Sequence, residues 1–407
     1  MDIVIVAQYL RNIEDFDGNN SRFVYLAKKS AQNKENKVEI ITSNFSHGEK
    51  RIFKKAGKLE NITVTVCEEP GYPKNVCLKR FSSHNKLASN IKEYLDKREK
   101  PDVLYVAVPS LSVAEVCADY CRKNKVKFII DIQDLWPEAF KLVFNVPILS
   151  DLLFSKLTFQ ANKIYKAADE IAAVSETYAK RALKVNSKVL NAAVVYLGTD
   201  KEYFDECAKK ELSNEAVSDQ ILTLLNQPEK VVMAYCGTLG SSYNLSIVFE
   251  ALKLLDENTL SKLVFIVMGD GSRKNEFMEE SEGLPVYFTG FLDYPTMVSL
   301  LSRCDFAVNP IAKGAAQSII NKHMDYAMAG LPVINTQECI EYKRLLSKYS
   351  AGINCSVEDT NELSNAIFKM VTQNREIMSK NSRKLGENEF DRASTYNKLV
   401  NLFDISQ

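Results

Sequence analysis

The sequence lacks the long runs and dense clusters that mark several protein classes. The uncharged stretch Val103–Ala114, near the middle, is about twelve residues and contains Pro109 and two serines. A membrane span needs roughly 18 apolar residues in a row. The opening Met-Asp-Ile-Val-Ile-Val places an acid at position 2 and reads as a strand, not as a secretory signal. There are only three histidines, His47, His84 and His323, far apart in sequence, and they give a Ser-His-Asp arrangement no positive support. Cys117 and Cys121 share a helix face, but no His or second Cys pair accompanies them, so no metal site is expected. Neither a Walker nor a GxGxxG sequence occurs, and no low-complexity tract or short repeat is visible. Net charge is also missing, with 52 Lys/Arg against 52 Asp/Glu, and no nucleic-acid partner is expected.

What is present is an ordinary globular balance, 46% apolar and 26% charged, over 407 residues. That length suits two domains better than one core. Nine scattered cysteines read as reduced thiols, which fits a cytoplasmic protein. The zero charge hides a polarity. Residues 1–195 carry 31 Lys/Arg against 23 Asp/Glu, and residues 196–407 carry 21 against 29. A basic half suggests an anionic surface as partner, although two solvated faces explain the same segregation.

Short β-branched runs alternate with amphipathic helical stretches. Strands are expected at Ile3–Ala7, Val38–Thr42, Ile62–Val66, Val103–Val108, Phe128–Ile132 and Ile171–Val174, with helices near Ser21–Ser30, Asn85–Arg98 and Leu111–Lys123. After a polar interval, Asp205–Lys230, the pattern restarts. Strands are expected at Val231–Cys236, Leu263–Met268, Val286–Phe288, Phe306–Asn309 and Pro332–Asn335, with helices at Leu245–Leu255, Tyr294–Ser302 and Ile319–Ala329. Such alternation specifies an α/β chain of two Rossmann-like, doubly wound domains, with ligands expected in a cleft between them.

Candidate chemistry sits at strand ends. Gly18 and Asn19 before Arg22 permit a turn whose free N–H groups bind an anion or sugar hydroxyl, or simply join strand to helix. Asp131, Asp134 and Glu138 follow a hydrophobic strand beside Trp136, where a carboxylate can orient or deprotonate a hydroxyl. Alternatively Asp134 caps a turn and Trp136 fills the core. Gly237-Thr238-Leu239-Gly240 and Gly269-Asp-Gly271 each resemble a phosphate-approaching turn. Gln317-Ser318-Ile319-Ile-Asn321-Lys322 leads into a helix start whose dipole suits a phosphate, with Lys322 adding charge. Asp325, one turn further, can accept two hydrogen bonds from a ribose diol. A Ser-capped helix with solvent-facing Lys322 and Asp325 is the plain alternative. The ten Lys/Arg from Arg22 to Lys58 and the apolar Leu142–Phe159 suit contact with anionic lipid, or equally a buried helix beside a solvated basic face.

With these residues in place, the whole chain resembles bacterial family 4 (group 1) glycosyltransferases of the GT-B fold, particularly those building capsule, O-antigen or exopolysaccharide units. Asp131-Ile-Gln-Asp-Leu-Trp-Pro-Glu138, Ala168-Asp-Glu-Ile-Ala-Ala-Val-Ser175 and Val195-Tyr-Leu-Gly-Thr-Asp200 carry the likeness in the first half. Cys304-Asp-Phe-Ala-Val-Asn-Pro310, Asn321-Lys322, Asp325-Tyr326 and Gly330-Leu-Pro-Val333 carry it in the second. The chain departs from the family where Gly-Gly becomes Gly18-Asn19 and where the usual paired glutamates become Gln317 and Asp325. It also lacks the usual Arg and Lys from Gly237–Asn244 and has Gln133 where the family has a histidine.

The resemblance implies retaining, metal-independent transfer of a hexosyl or N-acetylhexosaminyl group from a nucleotide-diphosphate sugar, as UDP-sugar, to a lipid-linked or saccharide acceptor. No cofactor is implied. It assigns residues 1–197, with a returning helix at 391–407, to the acceptor and 198–390 to the donor. Lys322 would meet phosphate, Asp325 ribose, Gln317 the sugar, and Gly240 and Ser318 the diphosphate. Gly237, Thr238, Leu239, Gly269, Gly271, Ile319 and Asn321 would complete the donor site. Asp134 would orient the acceptor, with Gly18, Asn19, Arg22, His84, Asp131, Trp136 and Glu138 beside it. The protein would be cytoplasmic, peripheral on the inner face of the membrane. A non-catalytic nucleotide-sugar-binding subunit, or an epimerase or hydrolase of the same fold, is the alternative.

Overall fold

In the computed structural model the described residues are all except 11, 17–20, 76, 139–146, 214–216, 316–317 and 406–407, with only the backbone described for 147–153. They form two compact units, one of Met1–Tyr196 with Thr395–Gln407 and one of Leu197–Ser394.

The first unit contains β1 (Asp2–Val6), β2 (Lys37–Ser43), a small antiparallel pair β3 (Phe45–Ser46) and β4 (Arg51–Ile52), then β5 (Ile62–Cys67), β6 (Val103–Val108), β7 (Lys127–Ile132), β8 (Glu170–Ala173) and β9 (Ala193–Val194). Seven of these make one parallel sheet in the order β5-β2-β1-β6-β7-β8-β9. Its strands are apolar on both faces because helices cover both. Ile3 and Ile5 point to Phe23, Val24 and Ala27 of the helix Arg22–Ser30. Val4 and Val6 point the other way, to Leu87 and Ile91 of the helix Leu78–Lys97 and to Ala114 and Cys117 of the helix Leu111–Asn124. Tyr396, Leu399 and Phe403, from the far end of the chain, join the first of these clusters.

The second unit has β10 (Val231–Cys236), β11 (Leu263–Met268), β12 (Val286–Gly290), β13 (Phe306–Asn309), β14 (Val333–Asn335) and β15 (Gly352–Asn354). They lie parallel in the order β12-β11-β10-β13-β14-β15. Met233, Phe265, Phe306 and Val308 pack on Val248 and Leu252 of the helix Leu245–Lys253 and on Leu363 and Ile367 of the helix Thr360–Thr372. In both sheets the chain reverses its direction of travel once, between β1 and β6 and between β10 and β13. A crevice opens outside the carboxyl ends of the strands at each reversal.

Most expected strands appear within a residue or two of their anticipated ends. The polar interval Asp205–Lys230 differs, since it holds the second half of the helix Lys201–Ala208 and all of Asp219–Leu225. Asp200 caps the first by accepting from Tyr203 N at 3.2 Å, and Ser218 caps the second. The helix expected from Asn85 begins at Leu78, because Arg80, Ser83 and His84 are buried and tertiary contacts extend it. Of the apolar stretch Leu142–Phe159, residues 142–146 lie outside the described residues, and the remainder belongs to the helix Pro147–Ala167. Among the described residues no helix is long and apolar enough to cross a membrane.

Candidate functional site

In the second unit β10 runs into Gly237-Thr238-Leu239-Gly240 and β11 into Gly269-Asp270-Gly271. Gly237 N donates to Met268 O and Leu239 N to Asp270 O, both at 2.9 Å, so the two turns are laced together. Gly237 and Gly269 have φ of +140° and +145°. A Cβ at Gly269 would stand 1.9 Å from Gly237 O, and one at Gly271 would stand 2.2 Å from Leu239 O. These two glycines therefore allow backbone to touch backbone. A Cβ at Gly237 would meet Lys322 Nζ at 2.8 Å, whereas Gly240 has room for one.

Lys322 lies in the first turn of the helix Asn321–Met328. Its side chain is not solvent-facing: the residue is 6% exposed, and Nζ has no hydrogen-bond partner. The ammonium sits 3.9 Å from the Tyr235 ring centroid and 4.0 Å from that of Tyr243, whose planes are inclined at 72°. Aromatic faces attract a cation but do not replace water, and burial pulls the Lys322 pKa from 10.5 down to about 7. Asp325, 9% exposed, is shifted the opposite way, since burial raises its carboxyl to about 7. The Tyr294 hydroxyl donates to Asp325 Oδ1 at 3.1 Å and opposes that rise.

Ser318 and Ile319 are buried, and the helix cap is Ile320 rather than Ser318, with no side-chain cap bond. The helix start thus retains its positive dipole end beside Lys322. Gln337 Nε2 holds the Ser318 carbonyl at 2.9 Å. Behind it, the last residues of three adjacent strands are asparagines in register, Asn309 against Asn335 and Asn335 against Asn354. Asn309 Nδ2 reaches His323 Nε2 at 3.1 Å and Asn335 Oδ1 at 2.8 Å. Gln317 lies outside the described residues. Among the described residues no group of three or more His, Cys, Asp or Glu gathers as it would around a metal ion.

In the first unit the structure separates the acceptor-side candidates. Gly18 and Asn19 lie outside the described residues. Arg22 Nε donates to Asp131 Oδ2 at 2.7 Å, and Arg22 Nη1 donates to Val195 O at 3.0 Å and Tyr196 O at 2.9 Å. At 4% and 0% exposure this pair is spent on tying β7 to helix and chain, and its polar atoms face protein. Glu138 Oε1 accepts from Arg181 Nε. Trp136 is buried with the Arg80 guanidinium 4.4 Å from its ring centroid and His84 stacked at 6.0 Å. His84 Nε2 lies 3.2 Å from Tyr9 Oη, and burial, aided by Arg80, pushes its pKa down to about 3. Asp134 is partly buried, and burial raises its pKa.

Sequence reasoning missed Tyr9, Arg80, Tyr235, Tyr243, Tyr294, Asn309 and Gln337. The asparagines alone left a readable signal, because two expected strands each ended on one, Asn309 and Asn335, just past an apolar run.

Residues 230–373 match the family model of Glycosyl transferases group 1. No curated protein sequence matches the chain. The structure is similar to that of Anabaena Alr3699/HepE in complex with UDP, at 15% identity and TM-score 0.68, over 98% of this chain and 99% of that one. It is similar to sucrose-phosphate synthase from Thermosynechococcus elongatus, at 14% identity and TM-score 0.70, over 99% and 98% of the two chains. It is likewise similar to WaaG, a glycosyltransferase involved in lipopolysaccharide biosynthesis, at 14% identity and TM-score 0.62, over 99% and 100%. The fold is that of GT-B glycosyltransferases, two Rossmann-like units each built on a parallel sheet.

Proposed function

We propose that this chain transfers a sugar from a UDP-sugar to a hydroxyl of a lipid-linked or saccharide acceptor, with retention and without a metal ion, in the assembly of a surface polysaccharide. One observation carries the reading. At the crevice of the second unit, a buried ammonium without a hydrogen-bond partner faces glycine turns at a helix start where His323 Nδ1 accepts from Ile320 N but the N-cap side chain makes no capping bond. That arrangement is short of negative charge, and a diphosphate supplies it. In the reaction the bond between sugar C1 and the diphosphate oxygen breaks, and the acceptor oxygen forms the new one. Lys322 and the helix dipole receive the departing charge, Asp325 holds the ribose, and Gln317 contacts the sugar. Asp134 takes the acceptor proton, its raised pKa bringing it closer to that task. Contact with an anionic membrane is supported by exposed lysines at 28, 34, 37, 54, 55 and 58.

The experiment is transfer from a panel of nucleotide sugars, with binding followed by calorimetry. Lys322→Ala should lower turnover at least tenfold, about 1.4 kcal/mol of transition-state stabilisation, in a protein that still melts cooperatively. Unchanged turnover in that variant removes the ammonium from the mechanism. Release of free sugar without any acceptor would favour hydrolysis instead.

A further inference from the structure

The Lys322 ammonium is walled in on three sides, and the walls differ in how firmly they are held. Tyr235 is wholly buried on β10, with its hydroxyl donating to Thr238 O at 2.8 Å, so its ring is fixed at both ends. Gly237 forms the second wall. A Cβ there would stand 3.0 Å from Lys322 Cε, and the Gly237 amide is bound to Met268 O at 2.9 Å. Tyr243 forms the third wall and is hydrogen-bonded through its backbone alone. It sits in the loop between β10 and the helix Leu245–Lys253, where Tyr243 N donates to Gly240 O and Ala312 N to Ser242 O, both at 3.0 Å. Its side chain leans on the core of the second unit yet stays partly exposed, beside the exposed Ser241 and Ser242. Among the described residues no hydrogen bond holds its hydroxyl.

Lys322 Nζ is closed to solvent and has no hydrogen-bond partner. A phosphate oxygen reaches it only when one wall moves. Moving Tyr235 breaks a buried hydrogen bond, and moving Gly237 unlaces the two glycine turns. Turning the Tyr243 side chain to another rotamer breaks no hydrogen bond and gives up one aromatic contact with the cation, 4.0 Å from the ring centroid. A charge-assisted hydrogen bond from Nζ to phosphate is stronger than that contact. We propose that Tyr243 is a gate on the diphosphate site: its side chain covers Lys322 in the empty chain and swings outward when an anion takes its place. This rests on the reading of the chain as a UDP-sugar transferase and adds how its donor site opens. A neutral ligand offers nothing to offset the lost contact, so the same ring makes the site selective for anions.

Reductive methylation of the unliganded full chain with formaldehyde and cyanoborohydride, read lysine by lysine by mass spectrometry, reports whether the amine is reachable. At about pH 8.5 Lys322, with its pKa at about 7, is mostly neutral and would label ahead of surface lysines if it were open. Slow labelling therefore reads the cover and not the charge. Lys322 should label at least roughly tenfold more slowly than the exposed Lys28 and Lys34, both in the native chain and in Tyr243→Phe, which keeps the ring. In Tyr243→Ala it should join them. UDP-glucose, followed by calorimetry at pH 7, should bind Tyr243→Ala at least about threefold more tightly than the native chain, since no aromatic contact has to be given up. Tyr243→Phe should bind it like the native chain. Melting curves establish that both variants are folded. Lys322 labelling as fast as the surface lysines in the native chain overturns the proposal, as does unchanged labelling in folded Tyr243→Ala. Weaker UDP-glucose binding by Tyr243→Ala also overturns it, because the ring would then be a prop for the ammonium. Failure of the native chain to bind UDP-glucose sinks the transfer reading, and the labelling comparison then decides the gate by itself.

Discussion

Titrating UDP-glucose binding against pH tests the proposed donor site most directly, because burial shifts two opposite charges toward the same point. Lys322 falls to about 7 and Asp325 rises to about 7. On the proposed reading the ammonium would bind a diphosphate and the carboxylate a ribose diol. Above neutrality Lys322 loses its proton and binding weakens. Below neutrality Asp325 gains one and binding weakens again. Affinity is therefore expected to follow a bell with its maximum near pH 7. Where only the charged form of each group binds, each limb approaches a tenfold loss per pH unit, about 1.4 kcal/mol. UDP-glucose is the better probe than UDP, since a terminal phosphate itself titrates near pH 6. Calorimetry from about pH 5.5 to 8.5, in buffers of different ionisation enthalpy, reports both the affinity and the protons exchanged. Lys322→Met should abolish the alkaline limb and spare the acidic one, and Asp325→Asn should do the reverse. A flat profile from about pH 6 to 8, or limbs that persist in both variants, would refute the electrostatic assignment.

Other expectations concern stability and tuning. The folded pKa of Lys322 lies below its unfolded value, so Lys322→Met should stabilise the fold most below about pH 7, by ~1–3 kcal/mol, with the gain fading toward pH 10.5. A thermal melt series across pH checks the sign. Gly269→Ala forces a Cβ against Gly237 O at a φ of +145°, and its denaturation midpoint should report a loss of ~2–4 kcal/mol. Arg22→Met leaves Asp131 buried without its cation and should cost ~3–5 kcal/mol, much of it recovered in the Arg22→Met/Asp131→Leu double variant. Tyr294→Phe removes the donor that holds the Asp325 pKa down, so the acidic limb of the binding profile should move to higher pH.

The fold was legible because continuous apolar strands alternating with amphipathic helices leave few arrangements open. Val103–Val108, Val231–Cys236 and Leu263–Met268 fall on the expected residues. The caps at Asp200 and Ser218 were overlooked because a charged, polar stretch reads as a linker until its periodicity is counted. In the candidate site of the second unit, Lys322 and Asp325 were visible as a charged pair one turn apart at a helix start. Their burial was not visible, since it depends on Tyr235 and Tyr243, eighty or so positions away in sequence. In the first unit the resemblance placed Arg22 and Asp131 beside the acceptor. Their burial as a pair, with Arg22 on the carbonyls of Val195 and Tyr196, is a contact no local pattern announces.

Tyr396, Leu399 and Phe403 fill the face of the first sheet beneath Tyr105, and Arg22 reaches Tyr396 Oη at 3.3 Å. Between them and the rest of that unit the ribosome makes all of Leu197–Ser394. The domain begun first is thus completed last, and its nascent form waits with an open apolar seam while the intervening one folds. Emergence of Thr395–Phe403, rather than of the first two hundred residues, is when this unit should acquire its full resistance to proteolysis.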